Sequence, residues 1–311
     1  MFLKILKNIF SVTEYSDKHN ILKIFGIKVK YPKKYFYEKR KESPYYYYKK
    51  HNIDITTLPP AEGQVRDVQL ATLSILKDFD FICKQNKIQY WLDGGTLLGA
   101  VRHKGFVPWD DDIDLGIFRE DYEKLEDIIN NNSYNSDIYI TRYRCYKKIS
   151  HKKNKNLFID LFPVDIWGEI ISEEEQLEET KKIKKISNDF HKNDHYIKDF
   201  SKQIEKLKEL RKTLLVNKTP EDITQTQYVW GLDFNHIWKN WFTNYEVYFP
   251  FKTINFEGYE FPCMNNPENY LKRVYGNFMG YPSKISIGHS AFLKFNDEEK
   301  NAMEDLIKKL G

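Results

Sequence analysis

The 311-residue chain has no apolar run long enough to cross a bilayer, only three cysteines, and little excess of either charge. An α-helical span needs about 20 consecutive apolar residues, so an integral helical membrane protein is not expected. The apolar stretch at residues 2–10 is too broken for a secretion signal. Cys83, Cys145 and Cys263 are odd in number, widely separated and without metal-ligand spacing, which argues against a disulfide framework or a zinc module. They suit a reducing, cytoplasmic setting, packed as small hydrophobes. The net charge of +4 is too mild to point to nucleic acid. With 41% apolar residues the chain can bury a sizeable core.

What is there is concentrated between residues 88 and 116. Asp110, Asp111, Asp112 and Asp114 lie within five positions, and Ile113 and Leu115 alternate with the last two. On a strand, alternate side chains share a face, so Asp112 and Asp114 would point the same way while Ile113 and Leu115 enter a core. Carboxylates held that close repel unless a cation separates them. A hard divalent ion, Mg²⁺ or Mn²⁺, fits oxygen ligands of this kind. An acidic run is ordinarily a solvated loop, but the apolar partners argue for a strand. An EF-hand is excluded: Leu115 stands where its glycine is required and Asp121 where its glutamate is.

Upstream, Ile88–Leu92 reads as a buried strand, Gly94-Gly95 as a turn, and Thr96–Lys104 as a short helix. Strand, glycine turn and helix N-terminus together suit a phosphate. By itself a Gly-Gly pair marks an ordinary tight turn. Arg102 has the fork for phosphate oxygens, whereas His103 and Lys104 equally serve as charge compensation at a helix end.

The stretch from Gly94 to Arg102, followed by Gly105-Phe106-Val107-Pro108-Trp109-Asp110-Asp111-Asp112-Ile113-Asp114, closely resembles the LicD/fukutin family. The resemblance covers residues 60–167 well and 259–289 more loosely. It implies an α/β (α+β) fold with a nucleotidyltransferase-like mixed sheet flanked by helices. It further implies transfer of phosphocholine, or a related phospho-alcohol such as ribitol phosphate, from a CDP-linked donor such as CDP-choline to a surface glycan. Nucleotidyltransferase-like folds need a third carboxylate on a neighbouring strand. Asp160, enclosed by Phe158, Ile159, Leu161 and Phe162, fits it; a buried acid there is costly unless paired or bound to metal. A hydrogen bond to a nearby loop is the alternative, and Asp165, just after Pro163, reads as a turn cap.

The remainder is less informative. Residues 2–10 form a basic amphipathic pattern, suited either to an anionic membrane surface carrying lipid-linked acceptors or to packing on the protein. Residues 21–31 suggest a hairpin near Gly26, and residues 32–52 a loosely ordered, tyrosine-rich connector. Helices are expected at 62–85, 118–130, 267–275 and 296–310, strands at 138–141 and 145–149, and a hairpin turning at Glu257-Gly258. Residues 172–216 read as a charged αα-hairpin turning at 191–196, with Leu177, Thr180, Ile183, Ile186 and Phe190 on one stripe. His191 and His195 read as surface residues. Trp230, Trp238 and Trp241, with Phe234, His236 and Phe242, suggest core, or an aromatic face for a quaternary ammonium.

Four segments are expected: an extension (1–58), a catalytic core (59–168), a helical-hairpin insertion (169–250) and C-terminal additions completing the catalytic domain (251–311). In the expected site, Asp112, Asp114 and Asp160 hold one or two metal ions. Gly94, Gly95 and Thr96 cradle phosphate, Arg102 stabilises its charge, and Asp110 or Asp160 accepts the attacking hydroxyl's proton. Two other readings stay open: a true nucleotidyltransferase using the same acids on a sugar or phospho-alcohol, and a non-catalytic glycan-binding or assembly protein. The expected partners are the CDP-linked donor and a glycan acceptor of lipopolysaccharide, capsule or teichoic-acid type, with no nucleic acid.

Overall fold

The computed structural model describes residues 10–16, 19–24, 27–32, 44–130, 134, 136–143, 146–191, 200–215, 222–232, 241–285 and 288–311. They fall into two compact units, residues 1–58 with 281–287, and residues 59–280 with 288–311.

In the first unit β1 (Phe10–Ser16), β2 (His19–Ile24) and β3 (Ile27–Pro32) form an antiparallel sheet. The hairpin expected near Gly26 is the β2–β3 pair, and β1 adds a strand the sequence did not suggest. The amphipathic pattern at 2–10 lies almost wholly outside the described residues. Within the expected connector, Pro44–Lys50 is a short helix, α1. Tyr45 and Tyr48, one turn apart on it, bring their ring centroids to 6.3 Å, and the Lys49 ammonium donates to the Ser283 carbonyl at 2.9 Å.

The second unit is the mixed α/β structure that the sequence implied. Its helices and strands alternate at first: α2 (Gly63–Asn86), β4 (Tyr90–Leu92), α3 (Gly94–His103), β5 (Asp114–Phe118) and α4 (Arg119–Asn130). Strands β6 (Ile138–Tyr143), β7 (Tyr146–His151) and the long β8 (Phe158–Glu169) follow. Helices α5 (Glu173–His191) and α6 (Phe200–Leu214) precede β9 (Thr226–Trp230) and β10 (Trp241–Asn244). A single-turn helix α7 (Tyr245–Tyr248), the hairpin β11 (Lys252–Phe256) and β12 (Tyr259–Cys263), α8 (Pro267–Tyr275) and α9 (Asp297–Lys308) complete it.

Seven strands make one mixed sheet whose axis is β8. Along one edge β8 runs parallel to β5, which pairs antiparallel with β4. Along the other it pairs antiparallel with β7 through residues 158–161, then with β9 from residue 164 onward. Its residues are almost continuously buried, as befits a strand covered on both faces. Helices α2 and α4 pack on this sheet, and α9 packs along α2. The α9 start is fixed by a reciprocal cap, in which the Asn296 side chain accepts from the Glu299 N–H and Glu299 accepts from the Asn296 N–H.

Helices α5 and α6 form the expected hairpin, its turn lying outside the described residues. The hairpin enters the chain between two adjacent strands of the sheet, so the segment expected as a helical insertion also contributes β9 and β10. Ile183, Leu210 and Leu214 pack on Trp167, Val229 and Phe242 in a small second core. The predicted α5 stripe is narrower than expected: Ile183 is buried, but Leu177 and Ile186 are exposed. Asp165 is no turn cap. It lies inside β8 at 3% exposure, paired in a fork with Arg119 at 2.8 and 2.7 Å. Pro163 did not end the strand because it falls between Leu161, the last residue paired with β7, and Val164, the first paired with β9.

Candidate active site

The site is built where β4 hands over to α3 and where β5 lies beside β8. Asp93 follows β4 and caps α3, its Oδ1 accepting the Gly94 N–H at 2.8 Å. Burial raises its proton affinity, against hydrogen bonds from Tyr270, Gly94 and Trp230. Trp230 and Phe242, from the expected aromatic cluster, are therefore core residues; Phe234, His236 and Trp238 lie outside the described residues.

Gly94 and Gly95 are not a turn before the helix but its first two residues. Gly94 has φ +50°, and a Cβ there would stand 2.6 Å from Asp114 Oδ2. A Cβ on Gly95 would stand 2.7 Å from Asp110 Oδ2. Both glycines thus leave room for carboxylates. The Gly95 N–H donates to Asp114 Oδ2 at 3.2 Å, and the Thr96 hydroxyl accepts from the Asp114 N–H at 2.8 Å. The positive end of the α3 dipole accordingly meets an anion already in the protein, Asp114 itself.

Asp114 opens β5, and Asp160 stands directly opposite it on β8. Side chains paired across neighbouring strands share a face and lie close. Asp112, in the loop before β5, completes the group: one ligand oxygen from each of Asp112, Asp114 and Asp160 lies within 4.8 Å of the others. Burial first, then Asp112 and Asp160, pushes the Asp114 carboxyl well above the usual carboxylate range. Asp110 is pushed up likewise, by burial, by the charge of Asp112 and by a hydrogen bond with it. Three hard oxygen donors at this spacing, with Asp114 among them disfavoured as a bare anion, fit a divalent cation.

Three contacts fix the acid-bearing loop from behind. The Gln69 amide donates to the Asp110 carbonyl at 2.6 Å. Glu257, in the β11–β12 turn, accepts the Phe106 N–H at 3.0 Å while Arg66 grips its carboxylate at 3.0 and 2.6 Å. Asp111 turns away from the other acids into the protein, 7% exposed, and accepts the Ser290 N–H at 2.5 Å. Gly288 packs against it so closely that a Cβ would stand 2.4 Å from the Asp111 Cγ.

Two neighbours had escaped the sequence reading. Lys148 of β7 lies opposite Asp160 and places its ammonium 2.9 Å from Asp160 Oδ1. Tyr275, the last residue of α8, is 43% exposed over the whole residue, but its hydroxyl end is desolvated and is pushed far up by that and then by Asp114, Asp93, Asp110 and Asp112. Arg102, expected at a phosphate, is 6% exposed. Its Nε donates to His103 Nε2 at 2.9 Å and its Nη1 to the Phe278 carbonyl at 2.6 Å. Burial first, and then Arg102, lowers His103 to about 4.

The chain is similar in sequence to known proteins. Residues 87–203 match the LicD/FKTN/FKRP nucleotidyltransferase domain family. The lipopolysaccharide cholinephosphotransferase LicD of Haemophilus influenzae is 28% identical over 248 residues, 70% of this chain and 92% of that protein. The mouse ribitol 5-phosphate transferase FKRP is 34% identical over 84 residues, 24% of this chain and 17% of that protein. An uncharacterised Rickettsia prowazekii protein is 36% identical over 124 residues, 47% of its length.

Proposed function

We propose that this chain, a member of the LicD family of phosphotransferases, moves phosphocholine or a related phospho-alcohol from a CDP-linked donor to a hydroxyl of a bacterial surface glycan. The observation that carries the reading is the convergence of Asp112, Asp114 and Asp160 from a loop and two paired strands. Mg²⁺ or Mn²⁺ bound there would neutralise the donor's pyrophosphate and its leaving group. Gly94, Gly95 and Thr96 form the floor beneath those phosphates, with Asp93 locking the first turn of α3. Arg102 supports that floor by holding the segment at Phe278. Asp110, whose carboxylate lies against Gly95 at the start of α3, would take the proton of the attacking hydroxyl once the metal holds the neighbouring acids. The similarity to a cholinephosphotransferase named for lipopolysaccharide supports phosphocholine and that acceptor class, and the similarity to ribitol phosphate transferases keeps phospho-alditols in the substrate range. None of the described helices is long and apolar enough to cross a membrane. A lipid-linked acceptor would therefore be met at the membrane surface.

A thermal-shift panel tests this. Purified protein is melted with CDP-choline, CDP-ribitol, CDP-glycerol or CTP, each in Mg²⁺ and in EDTA. A donor at about 100 times its dissociation constant adds close to 3 kcal/mol to the folded state. Stabilisation by one CDP-alcohol, lost in EDTA, is the expected result. Stabilisation by CTP alone would turn the assignment to nucleotidyl transfer, and no response to any nucleotide would remove the donor from the reading.

A further inference from the structure

The acid cluster contains a cation supplied by the chain. Lys148 belongs to β7, and the register that puts Lys148 opposite Asp160 also puts Asp160 opposite Asp114. Three neighbouring strands therefore carry the row Asp114, Asp160, Lys148 across one face of the sheet. The Lys148 side chain is 15% exposed, its ammonium 2.9 Å from Asp160 Oδ1 and 3.4 Å from the centroid of the Phe158 ring. The ring faces the ammonium with its negative π surface, so the charge is steadied from two sides. A lysine on a solvated rim would not be enclosed in this way.

The position carries a conflict. The oxygens of Asp160 are wanted by a divalent ion, and one of them is paired with Lys148. A divalent ion outcompetes an ammonium for a carboxylate shared with two others, because it carries twice the charge and binds all three acids together. Lys148, on a flexible four-carbon stem beside Phe158, can then turn toward the next anion in the site. In a phosphotransferase that anion is the donor's pyrophosphate.

We propose that Lys148 is a second cation of the site: its ammonium balances Asp160 before metal binds and turns to a phosphate of the nucleotide donor once metal is in place. This rests on the phosphotransferase reading above. Lys148 would be a substrate-binding residue, recognising a nucleoside diphosphate ester through its phosphates and not through the alcohol.

The test separates the two roles with Lys148→Met, which keeps the stem packed on Phe158 and removes the charge, and Lys148→Arg, which keeps the charge. Mn²⁺ affinity is measured by electron paramagnetic resonance without nucleotide. CDP-choline affinity is then measured by calorimetry at saturating Mn²⁺. Loss of a competing cation at a partly buried pair should tighten Mn²⁺ binding to the methionine variant by roughly fivefold. Loss of a charge-assisted contact to phosphate should weaken the nucleotide by about tenfold or more. Lys148→Arg should hold nucleotide affinity close to wild type. Weaker or unchanged Mn²⁺ binding in Lys148→Met, or an unchanged nucleotide affinity, would make the lysine a structural ion-pair partner and overturn the proposal. Failure of the wild type to bind Mn²⁺ would instead overturn the metal-dependent reading on which it stands.

Discussion

Replacing Gly94 by alanine would test how tightly the carboxylates are placed. The substitution adds one methyl group and carries two separable costs. Gly94 has φ +50°, and a residue with a Cβ pays about 1–2 kcal/mol in that region. For a unit of this size, that lowers Tm by about 2–8 °C. The second cost is local. The new Cβ would lie 2.6 Å from Asp114 Oδ2, where ordinary contact begins at 3.4 Å, so the carboxylate must retreat by about 0.8 Å from its place, and a misplacement near 1 Å costs on the order of 10² in rate. Gly63→Ala is the matched control. Gly63 is also the first residue of a helix, at φ +57°, with nothing within 4 Å of the added Cβ. Both variants should lose similar thermal stability, but only Gly94→Ala should lose transfer activity by about a hundredfold and bind Mn²⁺ more weakly by electron paramagnetic resonance. If Gly94→Ala turned over and bound Mn²⁺ like Gly63→Ala, the carboxylate would have no fixed place to lose and the account of the site would be refuted.

Other perturbations read other parts of the structure. Asp112→Asn, Asp114→Asn and Asp160→Asn should each reduce transfer of labelled phosphocholine by roughly 10³-fold. In EDTA Asp114→Asn should melt no lower than wild type, because it removes repulsion from Asp112 and Asp160; a large drop would show that the metal-free carboxylate stabilises the fold. His103 is held near 4 in the folded protein against an ordinary 6.5, so the unfolded chain binds more protons between those values. Its contribution is complete above pH 6.5 and is lost as the pH falls toward 4. Melting curves of His103→Gln should accordingly fall less steeply than wild type over that window, and parallel curves would contradict the assignment. Arg119→Ala strands the buried Asp165 and should cost about 3 kcal/mol in urea unfolding. Adding Asp165→Ala should cost less than the sum of the single changes, and strict additivity would show that the pair is not coupled.

What the sequence displayed was local. The alternation of Asp112, Ile113, Asp114 and Leu115 is a period-2 signal within one short segment, and Asp160 was visible because an acid among Phe158, Ile159, Leu161 and Phe162 needs a reason to be there. Helices α2, α8 and α9 were legible from their stripes and caps, ending within a residue or two of where they were expected. Features that depend on pairing were not legible. Lys148 sits among lysines and looks like any of them until the β7–β8 register sets it beside Asp160. Arg119 and Asp165 are 46 positions apart and meet only because β8 continues past Pro163. The glycine pair was read as a turn because glycine has that habit; the reason for it here is the room that Asp110 and Asp114 occupy, which nothing near Gly94 in the sequence announces.

The hydrogen bond between Asp111 and Ser290 has a temporal meaning. The two residues are 179 positions apart. A ribosome that has delivered Asp110, Asp112 and Asp114 still has most of the second unit to make before it delivers the amide that closes over their loop. The incomplete chain can thus gather its acids early but cannot set them. The final setting of the acidic loop is postponed to a late moment in synthesis, and a product cut short before residue 290 would carry the whole acidic motif with its latch missing.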